Sequence, residues 1–126
     1  INSGGLRDSI QPGNVTYESV LTVLPFGGEI VRAELTGADL VKYLQFVIFE
    51  LTPGTGSFPQ MSGVEVQAHK GSKKITKLLV NGQPVDPSRK YTIALPDFIA
   101  GGGDKYPKLN FGRTGLVDAD ILREFV

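Results

Sequence analysis

Asn81-Gly82 is the dipeptide that most restricts how this chain can fold. A two-residue type I′ turn needs positive φ at both central positions, which Asn and Gly tolerate best, so the flanking segments are expected to pair antiparallel. Ile75-Thr76-Lys77-Leu78-Leu79-Val80 leads into the turn and Gln83-Pro84-Val85 leaves it. Pro84 has no N–H to give to a ladder, which places the return arm at a sheet edge. Glu29 to Leu35 alternates Ile30, Val31, Ala33 and Leu35 with Arg32 and Glu34, the pattern of a strand with one wet face. Val64 to Ala68 alternates in the same way, and Tyr91-Thr92-Ile93-Ala94-Leu95 reads as a further strand entered from the turn Asp86-Pro87-Ser88.

Helices are expected between these strands. Thr36-Gly37-Ala38-Asp39 resembles a capping box with Asp in place of Glu, and the helix it opens runs to about Leu51. Leu40, Leu44, Val47, Ile48 and Leu51 form its buried stripe, widened by Val41 and Phe49. Thr16 caps a short segment, Tyr17 to Leu24, that Pro25 ends. Asp118 caps a last helix within Val117 to Val126, with Ile121, Leu122 and Phe125 expected inward. Thr52-Pro53-Gly54-Thr55-Gly56-Ser57 is a loop. With no internal repeat, the order favours an α+β single domain with a mixed, largely antiparallel sheet and flanking helices. A chain of 126 residues suffices for one such core. It starts at Ile1 without an initiator Met and stops inside a helix, so it reads as truncated at both ends.

The residue inventory excludes several chemistries. Thirteen cations balance thirteen anions, which leaves no electrostatic footprint for nucleic acid. No apolar run approaches the ~20 residues of a membrane span. Without cysteine, and with His69 as the one histidine, neither a thiolate nucleophile nor a transition-metal cluster of imidazole or thiolate ligands can be built. No serine sits in a nucleophile elbow, and no glycine-rich segment has the spacing of a phosphate loop. Carboxylates such as Glu65 and Asp118 cannot be paired from sequence, so a glycosidase-type pair is unsupported.

What remains is Leu95-Pro96-Asp97-Phe98-Ile99-Ala100-Gly101-Gly102-Gly103-Asp104-Lys105-Tyr106, together with Phe26 beside Gly27-Gly28 and Arg7 in a loop-rich opening. Two rings could sandwich a flat base, each face contributing about 1–3 kcal/mol. A carboxylate accepts hydrogen bonds from a ribose diol, and an arginine fork suits phosphate. The competing reading is that both rings lie in the core, the commoner fate of phenylalanine.

The same residues carry a family resemblance. Asn2-Ser3-Gly4-Gly5-Leu6-Arg7, Leu24-Pro25-Phe26-Gly27-Gly28 and Phe98-Ile99-Ala100-Gly101-Gly102-Gly103-Asp104 resemble the three motifs of the 5′-nucleotidase C-terminal domain. Phe58-Pro59-Gln60-Met61-Ser62-Gly63 and Val85-Asp86-Pro87 also match it, and the likeness is nearest to the bacterial UDP-sugar hydrolase/5′-nucleotidase branch. The resemblance implies that Phe26 and Phe98 stack on the base, Asp104 binds the ribose hydroxyls, Arg7 meets the phosphate chain and Asn2 lies near base or ribose. It implies no catalytic or metal-binding residue in this chain, which by itself would hydrolyse nothing. Catalysis would belong to an N-terminal metallophosphoesterase domain in cis with two divalent metal ions, in the periplasm or at the cell surface. A 2′,3′-cyclic phosphodiesterase/3′-nucleotidase, a thiosulfohydrolase relative, or a stand-alone interaction module with both rings in the core are the alternatives. Gly28 stands where bacterial members often carry Asn, and Lys105 replaces a usual Gly, departures that bear on base preference.

Overall fold

A computed structural model of the chain describes residues 1–51 and 54–125; Thr52 and Pro53 of the expected loop, and Val126, lie outside them. The elements run α1 (Tyr17–Val23), β1 (Glu29–Thr36), α2 (Gly37–Phe49), β2 (Val64–His69), β3 (Lys74–Val80), β4 (Gln83–Pro84), β5 (Lys90–Pro96), α3 (Asp97–Ala100), β6 (Phe111–Val117) and α4 (Asp118–Phe125). The expected α+β architecture is found, with its strands divided between two three-stranded sheets, ordered β5-β1-β6 and β2-β3-β4. Every strand pairing among the described residues is antiparallel. Asn81 and Gly82 take φ of 50° and 81°, as a type I′ turn requires, and β4 lies at an edge.

α2 touches β1, β5 and β3, so it bridges the two sheets. Thr36 Oγ1 accepts from the Asp39 N–H at 3.2 Å, the forward half of the expected capping box. Leu40, Leu44, Val47 and Leu51 are buried as expected, with Ile48 half-buried. Tyr43 joins this stripe, and its ring meets Tyr106 at a centroid separation of 6.5 Å. The Tyr43 hydroxyl is buried without a hydrogen-bond partner among the described residues, and burial pushes its pKa up to about 12. An unsatisfied buried donor costs roughly 1–3 kcal/mol. Tyr43→Phe is therefore expected to raise stability by about 1 kcal/mol, read as a higher urea midpoint. A lower midpoint would mean that the hydroxyl does have a partner in solution.

One expectation is corrected by the fold, and one strand is added to it. Ile121 and Phe125 do not point inward: they are 38% and 88% exposed. α4 sits on α1 through Ala119 and Leu122 against Val20, Val23 and Leu24, which turns the other apolar positions outward. The added strand is β6, which no local pattern announces. Its Gly112 and Gly115 interrupt any apolar alternation, and its ladder to β1 carries a register shift between Ile30 and Val31. Pairing with β1, not local propensity, makes this segment a strand.

Candidate functional site

The antiparallel register of β1 and β5 begins with Ile30 opposite Pro96. The turn just before β1, Phe26-Gly27-Gly28, and the helix just after β5, α3, therefore leave the ladder at the same end. Gly27 takes φ of 64° in that turn. In α3, Ile99 and Ala100 are buried, so the neighbouring Phe98 faces away from the core. Phe26 is 66% exposed and Phe98 58% exposed. Neither ring is in the core, contrary to the interaction-module alternative.

Asp104 follows in a 3₁₀ turn, Gly103–Lys105, at φ of 54°. Its Oδ2 accepts a 2.5 Å hydrogen bond from Nδ2 of Asn2, a residue 102 positions away and only 5% exposed. Asn2 is fixed by a bridge to Pro59, and Ser3 N donates to the Phe58 carbonyl at 2.8 Å. The buried amide thus holds the carboxylate from behind. Gly103 lies directly against Phe98: a Cβ there would stand 2.6 Å from both a ring carbon and the carbonyl oxygen of Phe98. Phe98, Gly103, Asp104 and Asn2 form one connected group.

Arg7 completes the other side. Its backbone N–H donates to Val23 O at 2.9 Å, and its guanidinium carbon lies 5.8 Å from the centre of the Phe26 ring. Such a cation–π contact at an exposed site contributes about 0.5–1 kcal/mol. The five residues singled out from sequence are thus drawn into two groups, Arg7–Phe26 and Asn2–Asp104–Phe98. The segment 2–7 and the β1–β5 ladder connect them.

Carboxylates gather at Gly28, a feature that sequence reasoning missed. Asp97 and Asp118 both approach it, and the Asp118 N–H donates to Gly28 O at 2.9 Å. Burial, together with the charges of Asp97 and Asp120, raises the Asp118 pKa despite the hydrogen bond from Ala119 N–H. Glu29 is held below the usual carboxylate range by hydrogen bonds from Arg113 and from the Gly115 N–H. Arg113 also reaches Asp97 Oδ2 at 3.8 Å. Nothing local in the sequence announces this grouping, because β1, α3, β6 and α4 each supply one member.

A cleft of about 650 Å³ lies elsewhere, between α2, β5 and the Gly63–Val64 end of β2, lined by Tyr43, Met61, Val64, Ile93 and Leu95 among others. It brings no charged side chain and none of the five residues. A ring that stacks on a flat ligand works from an open surface, so the exposed rings, not the cleft, mark the candidate site. The described residues include no group of three or more His, Cys, Asp or Glu placed to hold a metal ion. Among them no helix is long and apolar enough to cross a membrane. His69 is exposed, and its Nδ1 accepts from Ser72 N at 3.1 Å, a surface role.

The sequence profile described as 5′-nucleotidase, C-terminal domain, matches residues 1–110. Silent protein UshA(0) of Salmonella typhimurium is 42% identical over the whole of this chain, which spans 23% of that relative's length. Among solved structures, the 5′-nucleotidase precursor of Thermus thermophilus has a TM-score of 0.80 at 28% identity, with 98% of this chain and 28% of that one covered. The NAD nucleotidase of Haemophilus influenzae has the same TM-score of 0.80 at 30% identity, with 98% and 26% covered. Fold, motifs and whole-chain similarity agree: the chain belongs to the 5′-nucleotidase C-terminal domain family.

Proposed function

We propose that this chain is the nucleotide-recognition domain of a 5′-nucleotidase or UDP-sugar hydrolase-type enzyme. The observation that carries the reading is the pair of exposed rings, Phe26 and Phe98, at one end of the β1–β5 ladder beside Asp104. The base stacks on the rings. The Asp104 carboxylate, oriented by Asn2, accepts from the ribose hydroxyls, and Arg7 meets the phosphate chain. Hydrolysis belongs to an N-terminal metallophosphoesterase domain outside these residues, where two divalent ions would activate water and stabilise the developing charge. Among the described residues no group of three or more His, Cys, Asp or Glu is placed to hold such a centre; in this reading the chain binds and orients the nucleotide and leaves bond cleavage to that domain. A periplasmic or cell-surface enzyme of nucleotide catabolism completes this reading, as the family resemblance implies. A thiosulfohydrolase would have no flat base to stack, so the exposed rings favour the nucleotide-using readings, among which a cyclic phosphodiesterase/3′-nucleotidase is the runner-up.

Calorimetric titration of the chain with adenosine and 2′,3′-dideoxyadenosine tests the ribose contact. Hydrogen bonds to a charged acceptor contribute about 1.5–3 kcal/mol, so adenosine is expected to bind at least about tenfold more tightly. In Asp104→Ala the two nucleosides should bind alike. Equal binding by the unsubstituted chain would overturn the role of Asp104.

A further inference from the structure

Gly28 ends the turn that carries Phe26 and stands beside Asp97, the chain neighbour of Phe98. It is not in the left-handed region, so its backbone does not demand glycine. A Cβ at this position would stand 3.4 Å from Asp118 Oδ2 and 3.7 Å from Asp97 Oδ1, ordinary contact distances. The missing side chain therefore leaves a gap that ends on carboxylate oxygens. Asp118 Oδ1 accepts from Ala119 N at 2.6 Å, so Asp118 can offer the gap only its Oδ2. Asp97 is freer: Arg113 stands 3.8 Å from its Oδ2, and the side chain remains about a third exposed, at 33%. Glu29, the remaining acid nearby, is occupied by Arg113 and by the Gly115 N–H.

We propose that Asp97 reads the edge of the bound base through the gap at Gly28, and that the site prefers guanine. The inference rests on the nucleoside-binding reading above. With the ribose on Asp104, against the Gly103 edge of the Phe98 ring, the base extends toward Phe26 and its far edge meets Gly28 and Asp97. An ionised carboxylate only accepts hydrogen bonds. Guanine offers N1–H and an N2 amine side by side, which match the two oxygens of one carboxylate. Hypoxanthine keeps N1–H but lacks the amine. Uracil places its N3–H between two carbonyl oxygens, which a carboxylate repels. A neutral carboxamide at the same place would both donate and accept, and would serve uracil as readily as guanine.

The test is calorimetric titration of the chain, Asp97→Asn and Phe98→Ala with GMP, IMP and UMP. The chain should bind GMP about tenfold or more tightly than UMP, with IMP between them. Asp97→Asn should narrow the GMP/UMP ratio to about threefold or less, mainly through tighter UMP binding, which also shows that the variant is folded. UMP binding as tightly as GMP, or a ratio unmoved by Asp97→Asn, overturns the assignment of Asp97 alone when Phe98→Ala weakens all three ligands. If no monophosphate binds, or if Phe98→Ala changes nothing, the underlying site reading fails and the role of Asp97 with it.

Discussion

Gly37→Ala is expected to be among the most damaging single substitutions in this chain. A Cβ at residue 37 would lie 2.0 Å from the Asp86 carbonyl oxygen, 2.7 Å from its carbon and 3.0 Å from Pro87 Cα. All three are backbone atoms, so no side chain can swing aside. The contact is also hydrogen-bonded on both sides: Gly37 N donates to Arg89 O at 2.8 Å and Ala38 N to Pro87 O at 3.1 Å. Relief requires moving either the first turn of α2 or the entry to β5, and both carry the main core. Overpacking against fixed backbone belongs to the severe end of mutational effects, at least about 3 kcal/mol. Urea denaturation followed by circular dichroism should show a collapsed midpoint. A loss below about 0.5 kcal/mol, the usual range of surface changes, would mean that these segments are not in contact in solution.

The second large effect falls on binding instead of stability. Phe26→Ala and Phe98→Ala should each weaken nucleoside binding by about 1–3 kcal/mol, roughly five- to 150-fold in Kd. Both rings are more than half exposed, so neither change should cost the ~3–5 kcal/mol of stability that follows removal of a core phenylalanine. The combination decides between the two readings that the sequence left open. A core ring would give the reverse, a large stability loss with binding following only through unfolding.

Features written locally in the chain were legible before the fold was known. The Asn81-Gly82 turn, the edge position of Pro84 and the Thr36 cap are short-range chemistry, and each is found in the structure. The rings in glycine-rich settings were visible as well, but their common location was not. It depends on Ile30 meeting Pro96 across the sheet, a pairing that no local pattern specifies. The hold of Asn2 on Asp104 spans 102 positions and leaves no trace in either segment. The same limit hid β6, whose strand character comes from its neighbour, and misdirected α4, whose apolar residues outnumber the places that α1 offers them.

Lys105 shows the opposite case, a local departure whose physical meaning only the backbone supplies. It adopts φ of 67°, immediately after Asp104 at 54°. The left-handed region costs a non-glycine residue roughly 1–2 kcal/mol, a cost that Lys105 bears. The conformation that presents Asp104 is thus held against a local cost, with the Asn2 amide on one side and Gly103 packed against Phe98 on the other.

The most direct test of the recognition site is an amide NMR titration of this chain with adenosine. The rings, the carboxylate and its buried amide should respond together, with shifts concentrated at Asn2, Phe26, Phe98, Gly103 and Asp104. Shifts concentrated instead on Tyr43, Met61, Val64 and Ile93 would place the ligand in the apolar cleft, and no shifts at millimolar adenosine would mean that these residues do not form a nucleoside site in this chain. Either result would contradict the reading.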